Sequence, residues 1–492
     1  MYAKSARKVS NSAPLSSGLG VGLVYWSALS PLVESPDTAI SVVELEPQTL
    51  WEQVQVDAGW RYRANEALFE TVAALPQAKL LHGVGHPLGG TAPDPIDPMP
   101  LLRDAVDRLN PAWVSEHMSF NRVRRADGTE HAGFLLPPPQ SHAAVRVAAH
   151  NIREFVRAID RPLAFETGVN YLRPIDGEMS DGDFFAEVAE WSNSGIVLDL
   201  HNLWCNERNG RARVADVLAR IPLERVWEIH LAGGLPESGY WLDAHSGAVP
   251  DEVMQIAADL IPRLPKLGAL IFEILPEHLP QIGLDGVQRQ IEALHQLWRL
   301  RNPQMVRTRA AARNYETAPA TVADFAEVAR WETGLVDALR EAPGSIAVSH
   351  EVRADPGCAL LRGLVADFRC ASLARSMRYT VTSLLAGIGP RETRSLLDGY
   401  FREQTPEPFT AVEADRFARF LRGRLTRLPP IPYLDQVLSF EHALVTATIY
   451  GVTSDIVWSA DPVLVLESLD AGRLPAMLVR ATHTMRICAD SA

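Results

Sequence analysis

Between Gly18 and Arg301 the chain repeats one pattern: a short apolar run rich in branched residues, then an amphipathic segment of helical period. The runs are GVGLVYW, ISVVELEP, AKLLHGVG, PAWVSEHMS, RPLAFETG, SGIVLDLHN, RVWEIHLAG and GALIFEIL. Between them lie MPLLRDAVDRLN, SHAAVRVAAHNIREFVRAI, GDFFAEVAEWSN and VPDEVMQIAADLIPRL. A run that is apolar along its whole length suits a strand buried on both faces, and alternation with helices makes such strands parallel. Eight units of this kind predict a closed (β/α)8 TIM barrel. An open doubly wound sheet is the alternative. It opens with a glycine-rich phosphate turn, and GLGVGL has neither the spacing nor the context of one.

The polar residues fall where a parallel barrel builds its active site, at the C-terminal ends of the strands. In chain order these are His82, His117 with Glu116 before it, Glu166, and Asp199 with Asn202 three residues later. His230 follows, then Asp243 and His245 as an Asp-x-His on the next loop, and finally Glu273. A lone strand-end histidine is more often a hydrogen-bonded structural residue than a ligand. The whole set at one barrel mouth would leave several buried charges unpaired, each at a cost of several kcal/mol, unless cations join them. Four histidines, two aspartates and two glutamates supply donors for two or three ions. Imidazole mixed with carboxylate, and no thiolate, suits Fe, Mn or Zn. Glu166 or Glu273 could bridge two ions about 3.5–4 Å apart.

A chain of 492 residues exceeds one ordinary domain. After a polar, Ser-rich stretch at 1–17, read as a disordered leader, the barrel is expected over 18–301 and a charged linker over 302–322. A mostly helical second domain follows over 323–492, carried by segments such as FAEVARWETGLVDAL and YLDQVLSFEHALVTATIYG. The stretch DIVWSADPVLVLESLDAGRLPAMLVRATHTMRI, richer in β-branched residues, reads as a few strands. A net charge of -13 argues against a broad nucleic-acid surface. No apolar run is long enough to span a membrane, and no secretory signal is visible. Four scattered cysteines without CxxC indicate neither a zinc ribbon nor a disulfide framework, and fit a reducing cytoplasm.

The barrel segments resemble the xylose-isomerase-like TIM barrels with multinuclear metal sites. Two branches are relevant: the endonuclease IV type of apurinic nuclease, and the DUF692 family of multinuclear non-haem iron-dependent oxidases. The likeness to DUF692 is carried by LHGVGHPLGG, LNPAWVSEHMSF, FLLPPPQSH, FETGVNYLR, SGIVLDLHN, ERVWEIHLAGG, LDAHSGAVPDEV and LIFEILPEHLP. The nuclease branch has histidine three residues after the strand-six aspartate, where this chain has Asn202, as the oxidase branch does. The resemblance implies that His82, His117, Glu166, Asp199, His230, Asp243, His245 and Glu273 are metal ligands. Asn202 is implied as a ligand or a ligand's partner, and Glu228 and Ser115 as acceptors that orient ligating imidazoles. Glu44, His201 and Asn202 are the catalytic candidates. Departures from the family pattern surround the site: Gln48 and Thr49 after Glu44, Thr167 for an asparagine, His201 beside Asn202, and Gly210 for a histidine.

What the resemblance implies about chemistry is an O2-dependent oxidase with two or three iron ions of mixed valence. Its substrate would be a residue, commonly cysteine, of a ribosomally made precursor peptide in natural-product biosynthesis. The second domain resembles the helical DUF2063-type partner proteins that recruit such peptides, here fused to the barrel. Docking there would raise the peptide's effective concentration at the mouth. An unrelated dimerisation domain is the plainer reading of that half. For the barrel, the competing class is a zinc or manganese hydrolase or sugar isomerase. A scaffold without catalysis would not need the full donor set.

Overall fold

The structure, a computed structural model, describes residues 18–57, 59–302, 318–341, 350–476 and 478–488. The expected leader and residues 303–317 of the expected linker lie outside the described residues.

Eight parallel strands form the closed barrel: β1 (Gly20–Val24), β2 (Val42–Leu45), β3 (Ala78–Gly83), β4 (Val114–His117), β5 (Leu163–Glu166), β6 (Gly195–Asp199), β7 (Val226–Ala232) and β8 (Ala269–Glu273). Each pairs with its sequence neighbours, and β1 closes the ring on β8. The eight apolar runs are these eight strands. Around them lie α1 (Glu66–Ala74), α2 (Met99–Leu109), α3 (His142–Ile159), α4 (Asp181–Ser192), α5 (Leu200–Arg208), α6 (Asp251–Leu260) and α7 (Leu279–Trp298). Local chemistry sets several helix starts: Ser141, Ser180 and Asp199 each accept a backbone N–H in the first turn of α3, α4 and α5.

The period of two along a strand explains why the site sits where it does. Val42, Leu80, Trp113, Ala164, Val197, Ala269 and Ile271 pack in one buried cluster within the barrel. Two residues on from five of them stand Glu44, His82, Glu166, Asp199 and Glu273. An apolar layer therefore floors a polar one. On β7 the register slips: Ile196 pairs with Val226 but Val197 pairs with Glu228. The bulge lets Trp227 join the apolar cluster, and beyond it His230 pairs with Asp199 in the polar layer.

By packing, the described chain divides into two compact units. The first comprises residues up to Leu50, Ala64–Thr129 and Leu135–Leu360, and the second Trp51–Arg63, Glu130–Phe134 and the chain from Leu361. The first unit includes α8 (Val322–Leu339), begun by a Thr321–Asp324 capping box. Arg146 of α3 binds Asp324 at 2.5 Å, and buried Glu332 accepts from Thr91 N and Oγ1 at 2.7 and 2.5 Å.

The helical region begins α9 (Pro356–Ser376) and continues with α10 (Arg378–Ile388), α11 (Pro390–Glu403), α12 (Thr410–Arg422) and α13 (Leu434–Tyr450). In the second unit the core gathers Leu384, Leu397, Tyr400, Phe417, Leu421 and Leu438, and a buried Arg369–Glu413 pair at 2.7 Å stands beside it. A hairpin of Trp51–Val56 and Gly59–Ala64, between β2 and α1 in sequence, belongs here: Tyr62 meets Phe409 and Trp60 meets Tyr450. Among the described residues, the C-terminal stretch forms two strands, Ser454–Trp458 and His483–Ile487. The apolar run between them is helix α14 (Pro462–Asp470), because Asp461 caps it and Pro462 occupies its first turn. Among the described residues no helix is long and apolar enough to cross a membrane.

Candidate metal centre

Imidazoles and carboxylates from β2, β3, β4, β5, β6, β7 and β8 converge at the barrel mouth. Glu166 Oε2 stands 3.0 Å from Nε2 of both His82 and His117. His230 lies between two carboxylates, its Nε2 3.1 Å from Glu44 and its Nδ1 3.3 Å from Glu273. His245 Nε2 is 3.2 Å from Asp243 and 3.5 Å from Glu273. Four overlapping sets of donor atoms could each hold an ion: Glu44–His82–His230, His82–His117–Glu166, Glu166–Asp199–His230 and Asp199–His245–Glu273. Glu44, Asp199 and His230 are wholly buried, whereas His117, Asp243 and His245 keep some exposure and form the rim.

Hydrogen bonding decides whether cations fit. His117 Nδ1 lies 2.9 Å from the Gly83 carbonyl, which can only accept, so the ring's Nδ1 carries hydrogen. His82 Nδ1 meets Ser115 Oγ at 2.9 Å. Both rings turn Nε2 toward the same carboxylate oxygen, and in neutral His117 that nitrogen is a lone pair facing a lone pair. Glu44 Oε1 and Oε2, Glu166 Oε2, Asp199 Oδ2, Asn202 Oδ1, both His230 nitrogens and Glu273 Oε2 are buried without a hydrogen-bond partner. Orphaned donors and acceptors at this density are rare in proteins, and here they point at one another. Oxygen and imidazole donors in this arrangement fit hard-to-borderline divalent ions.

Charge in the cluster tells the same story. Burial alone would lower the histidines, but the carboxylates override it: Glu166 lifts His117 to about 10, and Glu273 with Glu44 raises His230 well above its ordinary range. Asp243 and Glu273 do the same for His245. Burial, with Asp243 and Glu166 adding repulsion, pushes Asp199 far above the usual carboxylate range, and burial with Glu44 lifts Glu228 to about 7. For Glu166 and Asp243 burial is outweighed, by His117 and by His245 respectively, and both are held low. The site carries more negative charge than its imidazoles balance. Protons or metal cations must supply the difference.

Of the residues singled out in the sequence, His82, His117, Glu166, Asp199, His230, His245, Glu273 and Glu44 all stand in these donor sets. Asp243 stands in none of them and instead receives His201 Nδ1 at 3.0 Å. Asn202 donates Nδ2 to Glu166 Oε1 at 3.2 Å, and its own Oδ1 is buried without a hydrogen-bond partner. Ser115 holds His82. Glu228 accepts from Trp113 Nε1 at 2.8 Å and lies 3.7 Å from His230.

The sequence reading passed over Glu46, which burial lifts to about 7 against the pull of His82 and His117. The period of two that marks Val42 and Glu44 continues to Glu46, so a signal was there. Glu116, whose two oxygens accept from His86 N and His117 N at 2.9 Å, shapes the rim.

Fold and site together define a (β/α)8 barrel with a multi-donor candidate metal centre at its C-terminal mouth. The family model described as "RiPP precursor modification enzyme MbnB/TglH/ChrH" matches residues 37–281. A UPF0276 protein of Chromobacterium violaceum is 37% identical over 191 residues, which is 39% of this chain and 68% of that protein. A UPF0276 protein of Anaeromyxobacter is 32% identical over 204 residues, 42% of this chain and 70% of that one. The chain belongs to this family, in which RiPP denotes a ribosomally synthesised and post-translationally modified peptide. Among solved structures, D-psicose 3-epimerase of Clostridium cellulolyticum H10 is similar at a TM-score of 0.37 and 10% identity, over 57% of this chain and 98% of the epimerase. A xylose isomerase domain protein from Planctomyces limnophilus is similar at a TM-score of 0.33 and 15% identity, over 57% of this chain and 94% of that one.

Proposed function

We propose that this chain is an O2-dependent, multinuclear non-haem iron oxidase that modifies a residue, a cysteine, of a ribosomally made precursor peptide. The observation that carries the reading is the run of four donor sets sharing Glu166, Asp199, His82 and His230, whose buried atoms lack hydrogen-bond partners. Shared carboxylates suit two or three adjacent ions rather than one. Membership in a family of peptide-modifying enzymes supports the substrate class.

Bound iron would supply the reaction with O2 and the electron transfer. The chain's residues do the rest. Glu44, His82, His117, Glu166, Asp199, His230, His245 and Glu273 hold the ions, and Asn202 orients Glu166. The buried side of the centre is closed by Glu44 and His230 over the apolar layer, which keeps water out from below. The rim of His117, Asp243 and His245 is where a peptide side chain reaches the centre, and Glu46 there can hold a proton near neutral pH. A soft thiolate is a ligand the protein itself does not provide: Cys205 is buried, and burial with Asp243 keeps its thiol strongly protonated.

The second unit, on this reading, docks the precursor, as its resemblance to peptide-recruiting partner proteins suggests. Its exposed Leu444, Val452, Val457, Val463 and Leu464 offer apolar surface for an extended peptide.

The test is anaerobic loading with ferrous iron, then O2, with a short co-encoded peptide bearing a C-terminal cysteine. An O2-dependent mass change that disappears with Cys→Ser peptide is expected. Activity of zinc- or manganese-loaded protein without O2 would replace the oxidase with the hydrolase or isomerase class.

A further inference from the structure

Helix α5 and its C-cap carry His201, Trp204, Cys205, Arg208 and Asn209, spaced three, one, three and one residues apart. That spacing places them on one helical face. Four of these side chains engage the short strand Tyr240–Leu242 or Asp243 just after it. The Asn209 amide clamps the Trp241 backbone from both sides, accepting from Trp241 N at 2.8 Å and donating to Trp241 O at 2.9 Å. Trp204 meets the Trp241 ring edge-on at 5.1 Å, and the Arg208 guanidinium lies 4.7 Å from one indole and 5.0 Å from the other.

So held, Trp241 donates Nε1–H to His201 Nε2 at 3.3 Å. An indole nitrogen can only donate, so Nε2 must accept and the ring's hydrogen sits on Nδ1. Nδ1 then donates to Asp243 Oδ1 at 3.0 Å. The same oxygen is 3.2 Å from His245 Nε2, and His245 belongs to the Asp199–His245–Glu273 donor set. His201 is wholly buried.

We propose that this face of α5 is a template for the metal centre. It seats Trp241, Trp241 fixes the tautomer of His201, and His201 holds Asp243 beside the Asp199–His245–Glu273 position so that an ion is retained there. His201 and Trp241 are positioning residues that act through Asp243, which differs from a catalytic role for His201. The inference rests on the reading of the cluster as a metal centre.

The experiment compares the full chain with His201→Leu, His201→Asn and Trp241→Phe. The Asn side-chain nitrogen is as many bonds from Cα as His Nδ1, so it keeps the donor to Asp243. Each protein is stripped, reloaded anaerobically with ferrous iron, dialysed against a graded series of chelator concentrations and assayed for iron per chain. Melting of the stripped proteins reports folding. His201→Leu should lose one iron equivalent relative to the parent and His201→Asn should keep it. Trp241→Phe should release that equivalent at lower chelator concentration. A full complement in His201→Leu, or equal loss in His201→Asn, overturns the template. If His201→Leu does not fold, Trp241→Phe decides: release at the parent's chelator concentration overturns it. A parent chain that retains no iron overturns the metal reading itself, and the template with it.

Discussion

Glu166 belongs to two of the four donor sets, because its Oε2 is equidistant from His82 and His117 while the same carboxylate faces Asp199 and His230. Glu166→Ala should therefore strip more than one ion, unlike Glu44→Ala, which breaks one set. Elemental analysis of the two purified variants checks the difference. Trp113 acts from below: its indole is the hydrogen-bond donor to buried Glu228. Trp113→Phe leaves that carboxylate without its donor and should cost about 1–3 kcal/mol, read as a lower denaturant midpoint. The candidate donors were legible residue by residue because strand ends and the period of two are written locally. The Trp113–Glu228 and Trp241–His201 bonds were not, since each joins side chains far apart in sequence.

The elements show the same division. Each barrel strand announced itself by a short, largely apolar run, yet the bulge between β6 and β7 left no mark in the sequence. Gly195 shows what the bulge requires: a Cβ there would lie 2.2 Å from the Trp227 ring, in the space that the slipped register hands to that indole. Gly195→Ala should destabilise the barrel by about 1–3 kcal/mol through overpacking against a rigid ring. Thermal melting checks it, with Gly128→Ala unsuitable as a control because of its left-handed φ of +144°. Helix α14 erred the other way. Its aliphatic run reads as a strand, but a capping aspartate and a first-turn proline settle the backbone before side-chain preference counts.

Across the whole molecule, surplus negative charge at the mouth makes stability depend on pH. His117, at about 10 when folded, binds its proton more tightly than its ordinary value of 6.5. A group raised on folding contributes stability that is fully present below its unfolded pKa and lost as pH rises through the folded one. His230 and His245 shift in the same direction, and so do Asp199 and Glu228, with Glu228 spent by about 7. The lowered Glu166 and Asp243 act only in acid and add no slope above neutrality. Metal-stripped protein should thus melt at falling temperature from about pH 6.5 to about pH 10. Metal-loaded protein should show a flatter profile, because ions take the place of the protons. A stripped profile that rises over that window would sink the charge account.

The sequence by itself determined the barrel, the end of it that bears the chemistry, and the residue types that meet there. Those depend on backbone periodicity, which acts over a few residues. Only the tertiary structure decided which atoms face one another: that Glu166 is shared, that His201 holds Asp243 rather than joining a donor set, and that α8 packs on α3. Closure of the sheet and the register of β7 set those distances. They arise from packing between segments that no local pattern links.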